Sequence, residues 1–399
     1  MNFRLKKRII LTAFIALVIF AVTILSACNV TAKMINELDK IPTNGDYTFV
    51  SSYGVTHKGK DYEFEKLINS ALKSNGEKAY NQGHIAIEAY NGGKLYFSYN
   101  YYNKTLTDDY RGDALRKFCA GYVDINDLSV HFFGFYKHTK PYFSIGLIGY
   151  QAGKFLILIH CEGFVEIYDT STAEKSGEIS AQYLKDCQFD YKKSKSDCDE
   201  IAFYQSETGE MLFIDGEGAF TEVLIDFGES GIKTFYGFTK DYLLFCSSSS
   251  ININEAYDRQ TYSRTDKKTA ITMREQIDNY DNSPKVEYAG ESYTYSVTDE
   301  EIIFKSQSGE EMTVTMSTLR ESSKELRKVE EICGGELWFR QVKAANGELY
   351  LIAQNDESFF GTVLFSHMTP PIVFKYDMNG TFEYIGRASG ASVVTIIKN

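Results

Sequence analysis

Gly347-Glu348-Leu349-Tyr350-Leu351 reads as a turn residue, a charged residue and then an apolar strand. The same order returns in Gly93-Lys94-Leu95-Tyr96-Phe97, Gly153-Lys154-Phe155-Leu156-Ile157, Gly209-Glu210-Met211-Leu212-Phe213 and Gly335-Glu336-Leu337-Trp338-Phe339. Residues 241–245 and 301–304 are degenerate copies. Glycine turns the chain at positive φ without steric cost, and the aromatic and aliphatic residues that follow suit a pleated surface. Period-2 alternation in short runs ended by Gly, Asn or Asp predicts half-buried antiparallel strands. A second element, Phe164-Val165-Glu166-Ile167-Tyr168-Asp169, is echoed by Val373-Phe374-Lys375-Tyr376-Asp377. The echo is followed by the turn Met378-Asn379-Gly380 and a strand over 381–385, which makes a hairpin.

Helix is expected only over 64–73 and 319–331, and neither segment is long enough to supply the crossovers of a parallel sheet. The chain is therefore expected to be mainly β and antiparallel. Hairpins recurring every few tens of residues resemble β-propeller repeat proteins, and the resemblance implies six to eight four-stranded blades. A large β-sandwich or two β domains would leave similar local signals. The five prolines leave no Pro-rich linker, and no Gly/Ser linker divides the chain after residue 45, so 46–399 is read as one β-rich domain. The polar stretch 247–282, with its run of four serines from Ser247, reads as a long surface insertion.

The first 28 residues give an address. Arg4, Lys6, Lys7 and Arg8 precede the apolar run 9–25, which ends in Leu25-Ser26-Ala27-Cys28. This order resembles the lipobox leader of bacterial lipoproteins. The resemblance implies a signal peptide over 1–27, a Cys28 thioether carrying lipid, a tether over 28–45, and a domain held at the extracytoplasmic face of the cell membrane, with the bilayer as its first partner. The plainer alternative is an uncleaved anchor, since 17 apolar residues sit at the lower edge of a spanning length.

Loss of residues 1–27 removes four positive charges and no negative ones, taking the formal charge from -12 to -16. Such a surface repels nucleic acid and anionic headgroups, so no nucleic-acid partner is expected. It also keeps a tethered domain soluble. The histidines His57, His84, His131, His138, His160 and His367 form no close pair at helical ligand spacing, and no HExxH run occurs. His131 and His138 are seven apart, which strict alternation places on opposite strand faces. Asp124-Ile125-Asn126-Asp127 and Asp215-Gly216-Glu217-Gly218 lack calcium-loop spacing and read as polar turns. No metal site is assigned.

Six cysteines remain beyond Cys28, and Cys187 and Cys198 flank a polar hairpin tip where a disulfide is possible. Cys161, Cys246 and Cys333 lie in or beside apolar strands and read as buried thiols. Cys161 follows His160, but adjacent strand residues face opposite ways and make a poor dyad. Without a GxSxG elbow or a phosphate-binding glycine loop, no catalytic or cofactor-binding residue is assigned and no cofactor is implied. The Tyr99-Asn100-Tyr101-Tyr102 cluster can stack on sugars or a protein, yet its strand spacing favours core pairs. Trp338 is expected in the core. The leading functional expectation is a non-enzymatic binding or scaffold module for a protein or glycan partner. A carbohydrate hydrolase using two carboxylates is the alternative, and a transporter solute receptor, which would need an α/β two-lobed fold, ranks third.

Overall fold

A computed structural model describes residues 36–38, 40–77, 84–102, 116–138, 147–187, 189–195, 199–227, 233–247, 250–282, 284–355, 369–390 and 392–399. The leader 1–27 and Cys28 lie outside them. Contacts gather the described residues into two compact units: those of Tyr62–Val286 with Ser52–Val55, and those of Glu287–Asn399 with Thr56–Asp61 and the described residues before Ser52.

The fold is mainly β, with seven sheets among the described residues. The first sheet begins with β1 (Tyr47–Ser51), β2 (Gly54–His57) and β3 (Lys60–Glu63), and helix α1 (Phe64–Ser74) follows. The second holds β4 (His84–Asn91), β5 (Lys94–Tyr102), β6 (Arg116–Asp124) and β7 (Val130–His138). The third holds β8 (Leu147–Ala152), β9 (Phe155–His160), β10 (Phe164–Asp169) and β11 (Glu174–Ser180), and the 3-10 turn Gln182–Cys187 follows. In the fourth are β12 (Asp190–Lys193), β13 (Glu200–Tyr204), β14 (Glu210–Asp215) and β15 (Phe220–Leu224). The fifth has three strands, β16 (Lys233–Phe238), β17 (Tyr242–Ser247) and β18 (Ser250–Asp258), then helix α2 (Lys267–Asn282). The sixth holds β19 (Lys285–Tyr288), β20 (Glu291–Val297), β21 (Glu301–Ser306) and β22 (Glu311–Thr315), followed by helices α3 (Met316–Ser322) and α4 (Lys324–Cys333). The seventh holds β23 (Trp338–Ala345), β24 (Glu348–Gln354), β25 (Ile372–Tyr376) and β26 (Phe382–Arg387), and β27 (Val393–Lys398) returns to pair antiparallel with β1. Neighbours in sequence are neighbours in each sheet, and the last strand completes the first sheet. That strand order is compatible with a β-propeller of seven blades.

Within the unit built around Tyr62–Val286, the third sheet shows why its central strands are so apolar. Leu156 and Leu158 pack with Tyr96, Phe118 and Ala120 of the second sheet, while Ile157 and Ile159 pack with Ile201, Phe203, Leu212 and Ile214 of the fourth. All six residues of β9 are buried. The glycine-initiated strands are thus buried on both faces where half-burial was expected, and continuous apolar runs are what that environment selects. Ala202, Tyr204, Met211 and Phe213 carry the core on to Phe235, Leu243 and Phe245 of the fifth sheet. In the other unit, Tyr47, Phe49, Tyr350, Ile352, Val373 and Ile396 form one cluster. Ile41 is buried beside it in sequence, and Tyr384 donates from its hydroxyl to the Pro42 carbonyl at 2.7 Å.

Four expectations are corrected. Residues 247–282 are not a surface insertion: they supply β18 and α2, whose Ala270, Met273 and Ile277 bury Leu244 and Ala256 of the fifth sheet. The helix expected over 319–331 is two helices, because Ser323 ends one and caps the next, its hydroxyl accepting from Leu326 N at 3.1 Å. Gly335 does not open a strand; the chain leaves α4 through Gly334 at φ 66° and pairs only from Trp338. Trp338 itself is half-buried, with the Arg320 guanidinium 5.7 Å from its ring centre.

Candidate functional site

In four of the seven described sheets an edge strand, β4, β16, β23 or β27, carries an irregularity, and three of these place a polar side chain there. One extra residue interrupts pairing at Glu88 on β4, Tyr236 on β16, Arg340 on β23 and Val394 on β27. Such bulges re-aim a side chain out of the pleat. Arg340 pairs with Asp299 at 2.5 Å. Tyr236 donates to Asp278 at 2.6 Å under the Arg274 guanidinium, 4.0 Å from its ring centre. Glu88 accepts from the Ser98 hydroxyl at 2.5 Å and the Gly149 amide on β8 at 3.2 Å. Burial pushes the Glu88 carboxyl up to about 7, against those two hydrogen bonds. The hydrolase reading would need a second carboxylate facing this acid; among the described residues its hydrogen-bond partners are a hydroxyl and an amide. A charge inside the apolar run Ile85-Ala86-Ile87-Glu88-Ala89 was the sequence signal for this site.

His160 lies buried between the second and third sheets. Its Nε2 is 2.8 Å from Glu166 Oε2, which also accepts from Tyr136 at 2.8 Å, while Lys175 donates to Oε1 at 2.7 Å. Burial alone would raise Glu166, but the hydrogen bonds from His160, Lys175 and Tyr136 override it and hold the carboxyl near 2. The His160 ring stacks on Phe164 at 3.8 Å, and Cys161 is buried. A second buried pair, Lys233 with Glu255 at 2.9 Å, anchors the fifth sheet. An open depression of about 630 Å³ is lined by Lys154 and the acids Asp199, Glu200, Asp215 and Glu217. There Glu200 is committed to Arg259, and Asp215 Oδ1 closes its own turn by accepting from Glu217 N and Ala219 N at 2.9 Å each.

The structure separates the other expected groups. His57 Nδ1 lies 2.8 Å from the Thr48 hydroxyl, and His131 stacks on Tyr122 at 4.7 Å. The extra residue Phe133 falls between His131 and His138 and breaks the strict alternation on which their placement on opposite faces rested. Tyr99 and Tyr101 are core, stacked at 5.4 Å, with the Tyr99 hydroxyl donating to Asn69. Cys187 ends the 3-10 turn and Cys198 lies outside the described residues, as does the pairing proposed for them. Cys119, Cys161, Cys246 and Cys333 are buried. No group of three His, Cys, Asp or Glu able to hold a metal occurs among the described residues.

The remaining feature is a sheet edge. Edges invite pairing with another chain and are usually blunted by charge, bulges or cover. Of the last strands, β7, β11 and β26 each carry one extra residue, at Phe133, Ser176 and Ile385. Strands β3 and β22 begin with the exposed charges Lys60 and Glu311, and α2 covers the fifth sheet. Strand β15 has no bulge and no cover among the described residues, and its one charge, Glu222, stands mid-strand. Its five residues pair in unbroken register with β14, and Phe220 and Leu224 are 50% and 66% exposed. Glu222 stands between them, accepting from the Tyr183 hydroxyl at 3.2 Å.

No protein-family model matches the chain, and no curated protein matches it. Among solved structures it is similar to the computationally designed Ika4 protein, with 10% identity over 44% of this chain and 94% of that one and a TM-score of 0.22. It is also similar to HIRA residues 644–1017, with 6% identity over 47% and 56% and a TM-score of 0.26. BamB from Moraxella catarrhalis gives 10% identity over 76% and 87%, with a TM-score of 0.28. These scores are low, and the fold assignment rests on the chain's own sheets. No helix among the described residues is long and apolar enough to cross a membrane.

Proposed function

We propose that this chain is a lipid-anchored extracytoplasmic binding or scaffold protein, held at the membrane through Cys28 and presenting its β domain to a protein partner. The observation that carries the binding role is the exposure of Phe220 and Leu224 on the regular, uncovered strand β15. Large apolar side chains left in water on a regular edge mark an interaction site. The anchoring role is supported by the basic start, apolar run and Leu25-Ser26-Ala27-Cys28 of the leader. The acidic balance suits a domain that stays soluble while tethered.

Two measurements test the two halves. Cys28→Ser is expected to move the chain out of the acylated membrane fraction; retention of metabolic lipid label by the variant overturns the anchor. A photo-crosslinker replacing Phe220 in living cells is expected to give a discrete product. The same group at Ile271, 48% exposed on α2, is not. Equal products from both positions, or none from position 220, overturn the binding role.

A further inference from the structure

The edge of β15 offers more than two apolar side chains. Asp215 N donates to the Ala219 carbonyl, and Ile225 N donates to the Gly209 carbonyl, at 3.0 Å each. Along an antiparallel ladder this phase commits the odd-numbered residues 219, 221, 223 and 225 to β14. The N–H and C=O groups of Phe220, Glu222 and Leu224 therefore point away from the sheet, and they have no partner among the described residues. The three residues with outward backbone groups are the same three whose side chains form an apolar, acidic, apolar row.

We infer that β15 takes up an extended peptide segment from another protein as a fifth strand of the fourth sheet, with a Lys or Arg of that segment opposite Glu222 and apolar residues opposite Phe220 and Leu224. This deepens the proposed binding role and rests on it. Strand addition draws affinity from the backbone ladder and specificity from alternate side chains. Charge selects the occupant. Two copies of this chain pairing antiparallel about the strand centre would set Glu222 against Glu222, and like charges directly opposite are destabilising. A basic residue at the same place gains instead, and the acidic balance of the chain draws such a segment in.

The test uses the full-length chain in lipid nanodiscs and the synthetic peptide Thr-Val-Thr-Lys-Thr-Val-Thr, which on pairing antiparallel to β15 sets Lys opposite Glu222 and the two Val opposite Phe220 and Leu224. N-methylation of the Lys and both Val residues removes the donors that face β15 and is expected to weaken binding by about tenfold or more. N-methylation of the inner Thr residues, whose donors face away, is expected to leave it within about threefold. Glu222→Lys should weaken the Lys peptide by about fivefold and favour its Glu counterpart. Leu224→Pro removes one outward donor at a position where an edge strand tolerates proline; it should abolish binding while the far-UV circular dichroism spectrum is kept. Equal effects of both N-methylation patterns, or binding indifferent to charge at position 222, overturn strand addition. A concentration-dependent dimer abolished by Leu224→Pro also overturns it, because the occupant is then a second copy. If the peptide fails while the position-220 crosslink to another protein persists, strand addition falls and the binding role stands.

Discussion

The Ser98 hydroxyl donates to Glu88 Oε1 across 2.5 Å, joining the second strand of its sheet to the extra residue of the first. With the Gly149 amide it supplies the polar contacts of a carboxyl that burial raises from 4.5 to about 7. A folded-state pKa above the unfolded value means that the native state holds the proton more tightly. Its stabilisation is full below about pH 4.5 and is lost as pH rises through 7. Glu88→Gln is expected to flatten the fall in thermal midpoint between pH 5 and 8. An unchanged pH profile in the variant refutes the assignment.

Glu166 acts in the opposite direction. Its carboxyl is depressed to about 2 by its three donors, so its contribution is present above about pH 4.5 and lost as pH falls towards 2. Glu166→Ala leaves His160 and Lys175 without their shared acceptor and should cost about 3 kcal/mol or more. Chemical denaturation at pH 7 measures the cost, and a loss below 1 kcal/mol would mean that the network is replaceable by water.

Arg259 reaches from the end of β18 to hold both oxygens of Glu200 at 2.7 Å, while its guanidinium lies 4.6 Å from the Phe213 ring centre. Lysine reproduces the charge but neither the fork nor the flat stack. Arg259→Lys is expected to lower stability by about 1–2 kcal/mol, read from the urea midpoint. Equality with the parent would assign the pair to the surface class that contributes little.

Two turn glycines that look alike in sequence should respond differently. Both have positive φ, 52° at Gly153 and 72° at Gly347. A Cβ at Gly153 would stand 2.7 Å from the Gly216 backbone Cα, whereas at Gly347 nothing lies within 4 Å. Gly347→Ala should cost about 1 kcal/mol from backbone strain, and Gly153→Ala distinctly more, because two backbones must separate. Matched melting curves decide it; equal losses would place the whole cost in φ.

The strands of this fold were legible where an apolar run follows a turn glycine, as at Gly93, Gly153, Gly209 and Gly347, because burial on both faces leaves no polar position to blur the signal. Residues 250–258 were hidden by their polarity: Ser250 to Asn254 sit on a strand whose apolar duty passes to Ala256 and Tyr257, and α2 supplies the remaining cover. The candidate edge was not legible. Phe220-Thr221-Glu222-Val223-Leu224 is a short strand with three apolar residues, and apolar residues on a strand are expected inside. Only the strand order shows that no fifth strand among the described residues covers Phe220 and Leu224. The His160 cluster was out of reach for the related reason that Tyr136 and Lys175 meet Glu166 through tertiary packing.

Pairing of β27 with β1 sets Lys398 beside Tyr47 and brings Asn399 to the Thr48 hydroxyl, 351 residues away in sequence. A ribosome makes β1 long before β27. While the chain grows, β1 has its Phe49 and Val50 ready and no strand beside them on that edge, so the earliest sheet to be synthesised is the last to be finished. Contacts this distant slow folding, and the waiting edge is the natural point for a chaperone to hold or a protease to cut. A chain stalled before β27 would have six of the seven described sheets within reach and the first still open.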